Sequence, residues 1–258
     1  LFPCEVFTRE FDAKLFTAVF ASARYGHHSL IGYDKYFNFV IPKLKASVLL
    51  DKSISSIVLN GRIKSCVKNG GKVLISDEEG FNNIGIRGDK AFLARVDKNA
   101  PGFIDTYACW GSRDQHFFSQ VPGLSSKMSI IGNPRSDLLG APGRKYYSQY
   151  ISSLKSLFGN FVLISDNFAV ERYGIDSLPR YDVPNYINQQ IQDEYKQWLV
   201  EARALRDHLT RLVKSLIKSF PDINFIIRPH PAAKPSFWYE HLGDFPNSII
   251  VNRAAVEP

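Results

Sequence analysis

Methionine is almost absent from this sequence; Met128 is its only one. Leu1 therefore need not be the start of the natural gene product, and a chain trimmed at both ends is expected. Cysteine is scarce as well. Cys4, Cys66 and Cys109 are an odd number with no close pair, which argues against a disulfide framework and supplies no metal-ligand spacing. They read as buried free thiols of a reducing compartment. No apolar run approaches the roughly 18 residues that a spanning helix needs. The first residues lack the basic segment and apolar stretch of a signal peptide. The chain is accordingly expected to be cytoplasmic, at most peripheral to the anionic inner face of the cytoplasmic membrane. Internal repeats, low-complexity segments and dense Lys/Arg runs are missing too. No two histidines share a zinc-like spacing with a carboxylate or cysteine, so a metallo-hydrolase has little support and no metal is expected.

What is present is a globular composition: 258 residues, 45% hydrophobic and 13% aromatic, with a formal net charge of +7. That length suits one large α/β domain or two lobes of about 100–150 residues. The basic balance favours anionic partners, whether nucleic acid, anionic lipid or a phosphorylated small molecule, or else a merely solvated surface. An RNA-binding module lacks its aromatic and glycine-rich signatures here, so nucleic acid is not an expected partner.

Short β-rich runs alternate with helical stretches, which predicts a mostly parallel, doubly wound arrangement. Glu10 to Arg24 carries Phe11, Leu15, Phe16, Val19 and Phe20 on one helical face, and Gly26 ends it. Leu30–Ile31, Ser47–Leu50, Val73–Ser76, Thr106–Trp110 and Ser129–Ile131 read as strands, and Ile57–Asn69 as a helix stopped by Gly70-Gly71. The Gly/Pro-rich stretch Gly140–Gly143 marks a lobe boundary, giving residues 1–145 and 146–258 as the two lobes. The second begins with the strand Phe161–Ser165 and an exposed polar loop from Phe168 to Asn185. A long helix with Ile187, Ile191, Tyr195, Trp198, Leu205, Leu209, Leu212 and Leu216 at near-helical spacing follows, ended by Pro221. The strands Asn224–Ile227 and Ser248–Val251 come last. With about three strands where such a lobe usually has five or more, the second lobe is expected to be truncated.

Chemistry in doubly wound sheets collects at the carboxyl ends of strands. Asp77, Glu78 and Glu79 follow the apolar run Val73–Ile75, and adjacent carboxylates raise one another's pKa. A carboxylate there suits proton abstraction from a sugar hydroxyl, and Gly80 leaves room for the acceptor. The alternative is an exposed acidic turn that caps the next element. Arg228-Pro229-His230-Pro231 follows the second-lobe strand. Its prolines stiffen the loop, and an imidazole beside a guanidinium suits a phosphate; a loop histidine capping a backbone carbonyl is the alternative. Weaker candidates are Arg135 in Gly132-Asn133-Pro134-Arg135, Lys52 after Asp51, Asn167 after Ser165-Asp166, and Arg9 with Asp12 near the first strand-to-helix turn.

Glu78-Glu79-Gly80 and His230-Pro231, in that order, resemble the paired [Asp/Glu]-[Asp/Glu]-Gly and His-Pro motifs of bacterial sialyltransferases and related capsule enzymes. The wider stretches Arg9–Ala13, Leu50–Ile54, Asp77–Gly80, Gly132–Arg135 and Arg228–Pro231 are similar to the bacterial surface carbohydrate biosynthesis group. The resemblance spans most of the chain, although each motif is short. It implies a GT-B architecture of two Rossmann-like lobes facing a cleft, with the acceptor on the first and the nucleotide donor on the second. By the same analogy Glu78 is the general base and His230 contacts the donor phosphate. The donor is a CMP-activated acidic sugar, sialic-type or Kdo, a co-substrate and not a cofactor, and the acceptor is a glycan or glycolipid. The Ser/Thr motif that follows His-Pro in the family has no match before Pro258, so a further C-terminal segment is expected. Rival readings are a retaining Kdo-type transferase, a CDP-glycerol-type polyol-phosphate transferase, and a non-catalytic component of a polysaccharide assembly complex.

Overall fold

The computed structural model describes residues 1–55, 58–78, 96–166, 185–230 and 235–251. It divides the chain into two compact units, Leu1–Tyr147 and Ser148–Val256. Both are α/β, and among the described residues every strand pairing is parallel. Among the described residues no helix is long and apolar enough to cross a membrane.

In the first unit the strands are β1 (Phe2–Cys4), β2 (Ile31–Tyr33), β3 (Val48–Asp51), β4 (Lys72–Ser76), β5 (Thr106–Cys109) and β6 (Met128–Ile130). β1 pairs with β2, and β3 to β6 pair in sequence order. The two groups meet through Leu1, whose amino group donates to the Val48 carbonyl at 2.7 Å and whose carbonyl accepts from the Leu50 N–H at 2.9 Å. The strand order is thus β2-β1-β3-β4-β5-β6, and it reverses direction between β1 and β3. In such sheets the crevice outside the strand ends at this reversal is the usual ligand position. The core beneath is apolar, with Leu49, Val73, Ile75 and Tyr107 from the strands against Phe37, Ile41, Leu59, Ile63 and Phe118.

Helix α1 (Phe7–Tyr25) starts three residues before the expected stretch and ends on Gly26, whose φ of 69° is a left-handed conformation that glycine adopts without strain. Its apolar stripe is not its buried face. Phe16, Val19 and Phe20 are 42%, 57% and 54% exposed, whereas Glu10, Ala13, Lys14 and Ala18 are buried. Small and charged side chains let α1 lie close to the strand ends, which places its charges inside the unit.

The expected helix over 57–69 is interrupted. A π-helical turn, Leu59–Ile63, carries non-helical φ/ψ at Gly61 and passes into α3 (Lys64–Lys68), after α2 (Asp34–Val40) earlier in the chain. Arg62 lies in this turn and reaches the buried carboxylate of Asp51. Gly71, which follows α3, packs where a Cβ would stand 2.5 Å from Cys66 Sγ and 2.7 Å from the Ser47 carbonyl. The three cysteines are free and buried, as their apolar surroundings suggest.

The unit ends with α4 (Ser112–Phe118), α5 (Pro134–Asp137) and α6 (Ala141–Tyr146). The Gly140–Gly143 stretch belongs to α6 and its cap, and the unit boundary falls after Tyr147, whose hydroxyl donates to Asp12 Oδ2 at 2.6 Å.

The second unit comprises α7 (Ser148–Phe158), β7 (Phe161–Ser165), α8 (Asn185–Ser219), β8 (Asn224–Arg228), α9 (Ser236–Leu242) and β9 (Ser248–Ile250). Its sheet order is β7-β8-β9, and its core joins Val213 and Ile217 of α8 to Phe225, Ile227, Trp238 and Leu242. The long helix is present as expected and stops two residues before Pro221. The loop over 168–185 lies outside the described residues except at its last position, which is the first residue of α8.

Candidate functional site

At the carboxyl edge of the first sheet, between β1 and β3, the ends of four elements converge. β3 delivers Asp51 and Lys52, β4 delivers Ser76, Asp77 and Glu78, α1 crosses with Glu10 and Lys14, and α5 begins with Asn133 as its cap. The Asn133 side chain accepts from the Arg135 N–H at 3.0 Å, so the turn after β6 is locked by its own cap. Ala13, Lys14, Asp51, Ser76, Glu78 and Arg135 line a hollow of about 20 Å³, enough for one water or one hydroxyl group.

A buried charge network forms the floor. Glu10 is fully buried and accepts from the backbone N–H groups of Glu5 at 2.9 Å and Val6 at 3.3 Å. It also meets Arg9 at 3.1 Å, Lys14 at 2.9 Å and Lys52 at 2.9 Å. Burial works against its ionised form, but Lys14 and Lys52 outweigh that and hold its carboxyl far below the ordinary range. Lys52 is no ordinary surface lysine. Burial alone would lower its pKa, yet its contacts with Glu5 and Glu10 raise it. Asp51 is clamped separately by two nitrogens of Arg62, which also reaches Asp34 at 3.3 Å.

Glu78 stands over this network with its side chain 10% exposed. Its Oε1 meets Lys14 Nζ at 3.1 Å. Its Oε2 is buried and has no hydrogen-bond partner among the described residues. The Glu78 pKa is raised, first by burial and also by the like charge of Glu10, with Lys14 acting against both. The upward direction was expected, but the sequence pointed to adjacent carboxylates as its cause. The main cause is desolvation, and the repelling charge comes from α1. Trp110 Nε1 donates to the Asp77 carbonyl at 2.6 Å, which fixes the backbone just before Glu78. The Cys4 thiol, at the end of β1, is pushed up to about 11 by burial. Glu79 and Gly80 lie outside the described residues.

A second hollow, about 410 Å³, opens at the opposite edge, lined by Phe2, His27, His28, Ser47 and Val48 among others. It is larger but has no carboxylate in its wall, and it lies at the amino ends of the strands, away from the switch-point crevice.

In the second unit the carboxyl ends of β7 and β8 are joined by Asp166. Its N–H donates to the Arg228 carbonyl at 3.1 Å, and its Oδ1 accepts from the His230 N–H at 2.9 Å. Its Oδ2 accepts from Trp238 Nε1 of α9. Asp166 thus sets the backbone that presents His230, whose ring is half-buried, while Arg228 is buried at the strand end. Asn167 and Pro231 lie outside the described residues.

Of the sequence candidates, then, Glu78, Lys52 and Arg135 gather at one edge of the first unit, and Arg228 and His230 at one edge of the second. Asp12 instead joins α1 to Tyr147, and Arg9 joins the floor. Sequence reasoning missed Lys14 and underrated Glu10 and Asp166. The signal for the first two was there, a Glu and a Lys at i and i+4 spacing on the helix face opposite the apolar stripe, interleaved with small alanines. Among the described residues no group of three His, Cys, Asp or Glu side chains is placed to hold a metal ion. Compared with known proteins, the sequence matches no family model and no curated protein.

Proposed function

We propose that this chain is a glycosyltransferase of the GT-B class in surface polysaccharide biosynthesis. It moves an acidic sugar, sialic-type or Kdo, from a CMP-activated donor to a hydroxyl of a glycan or glycolipid, without a metal. The observation that carries the reading is the state of Glu78. One carboxylate oxygen is tied to Lys14, and the other is buried without a partner among the described residues, at the switch-point edge of a parallel sheet. Its raised pKa brings it toward the range where a base works best near neutral pH.

In the proposed step Glu78 Oε2 takes the proton of the acceptor hydroxyl as that oxygen bonds to the anomeric carbon. The bond from the same carbon to the donor phosphate breaks, and its electron pair leaves with CMP. Arg135 lines the hollow and suits an anionic sugar. In the second unit, His230 and Arg228 would donate hydrogen bonds to the phosphate and stabilise its departing charge. The excess of basic residues, +7 overall, suits an acidic donor and an anionic inner membrane surface at which a glycolipid acceptor is held.

The test is calorimetry of the full chain with CMP and with CDP-glycerol, followed by CMP release from CMP-sugars. Glu78→Gln is expected to lower turnover about 10²–10⁴-fold while keeping CMP affinity, and His230→Ala to weaken CMP binding. Binding of CDP-glycerol alone overturns the donor assignment in favour of polyol-phosphate transfer. Unchanged turnover in both variants points to a non-catalytic role.

A further inference from the structure

We infer that Lys14 is a positioning residue for Glu78: it holds one carboxylate oxygen, decides which oxygen is left to receive a proton, and is the cation set directly against that carboxyl. This rests on the reading of Glu78 as the base and names the group that acts through it. Lys14 follows Glu10 by one turn of α1, with its side chain 6% exposed. Its ammonium meets three acceptors, the Pro3 carbonyl at 2.6 Å, Glu10 Oε2 at 2.9 Å and Glu78 Oε1 at 3.1 Å. The first two are hydrogen bonds and the third is an ion-pair contact, so the ammonium is held against Glu78 by two fixed partners on its other side. Oε1 of Glu78 is thereby occupied, and Oε2 is the oxygen left over.

Stability alone gives a poor account of this arrangement. Buried ion pairs are commonly no better than apolar side chains of similar size, and the same helix has Phe16, Val19 and Phe20 pointing to solvent instead. The charged and titratable groups around Glu78 come from several elements. α1 contributes Glu10 and Lys14, β1 contributes Cys4, the end of β3 contributes Lys52 and the Asp51–Arg62 pair, α5 contributes Arg135, and Asp77 precedes Glu78 in the chain. Burial and Glu10 favour the protonated carboxyl, and Lys14 is the nearest cation opposing them. Two variants should therefore move the Glu78 titration in opposite directions. Lys14→Met removes the opposing cation. Glu10→Gln removes the repelling anion and leaves Lys14 to Glu78.

The experiment is carboxyl ¹³C NMR of the glutamate-labelled full chain across pH, with the Glu78 signal identified by its loss in Glu78→Gln. Lys14→Met is expected to move the Glu78 midpoint upward by about 1–3 pH units, Glu10→Gln to move it downward, and Lys14→Arg to restore it nearly to the original position. An unchanged midpoint in Glu10→Gln together with an unchanged one in Lys14→Met overturns the inference. If Lys14→Met does not fold, Lys14→Gln, which removes the charge and keeps a polar side chain, takes its place, and an unchanged Glu78 midpoint there overturns the inference. The titration uses no substrate, so its outcome is separate from the transfer assay. Absence of CMP-sugar turnover with the shifts intact removes the transferase reading and leaves the Lys14–Glu78 coupling in place.

Discussion

Glu10 and Glu78 share a lysine and are both buried, yet their pKa values move in opposite directions. Glu10 has Lys14, Lys52, Arg9 and two backbone N–H donors, so its folded-state carboxyl is far more acidic than in the unfolded chain. Such a group stabilises the fold above the unfolded value, about pH 4.3, and the contribution is lost as pH falls through the folded value. Glu78 has only Lys14 among the described residues, and burial raises its pKa. Its contribution runs the other way, full at low pH and lost as pH rises through the elevated value. In urea unfolding, Glu10→Gln is expected to be less stable than the parent by about 3 kcal/mol at pH 7, with the gap closing on acidification below pH 4. Against Glu78→Gln, the parent protein is expected to gain stability as pH falls from 7 toward 4. Parallel slopes for the two variants would contradict the opposed assignments.

At the scale of elements, α1 is the informative one. Its hydrophobic spacing predicts an apolar face turned inward, but the close approach of the helix to β1, β2 and α5 selects Ala13, Ala18 and the Glu10–Lys14 pair for the buried side. Phe20→Ser should therefore change stability by less than about 0.5 kcal/mol, whereas Ala18→Leu should cost about 1–3 kcal/mol through overpacking. Thermal or urea unfolding of the two single variants measures this, and a larger loss in Phe20→Ser would mean that this face is covered in the folded chain. The 57–69 segment teaches a similar lesson. Its sequence reads as one helix, but Gly61 permits a kink, and the buried Asp51 carboxylate is met by Arg62 from that turn.

On the scale of the whole molecule, each unit has its own core and its own set of strand ends. Ile227 is fully buried in the second core beside Phe225 and Trp238. Ile227→Ala is expected to lower the free energy of amide opening across β7–β9 by about 2–5 kcal/mol, read by native-state hydrogen exchange. Unchanged protection of those strands would deny that they form one cooperative unit. The Asp166 hydrogen bonds to the His230 backbone and to Trp238 join the candidate phosphate loop to this same core.

The alternation of β-rich runs and amphipathic stretches was enough, by itself, to determine an α/β chain with parallel sheets, because strand and helix periodicities are local properties of the sequence. The positions of Glu78, Lys52, Arg228 and His230 at or just beyond strand ends, and of Arg135 in the turn that follows β6, were legible for the same reason. Tertiary structure alone decided that Glu78 owes its raised pKa to burial and to Glu10, that Lys14 holds one of its oxygens, and that Asp166 governs the His230 backbone. Glu10 and Lys14 are separated from Glu78 by more than sixty residues of sequence. Coulombic attraction and desolvation depend on distance in space, and no local pattern records which strand ends the fold will bring together.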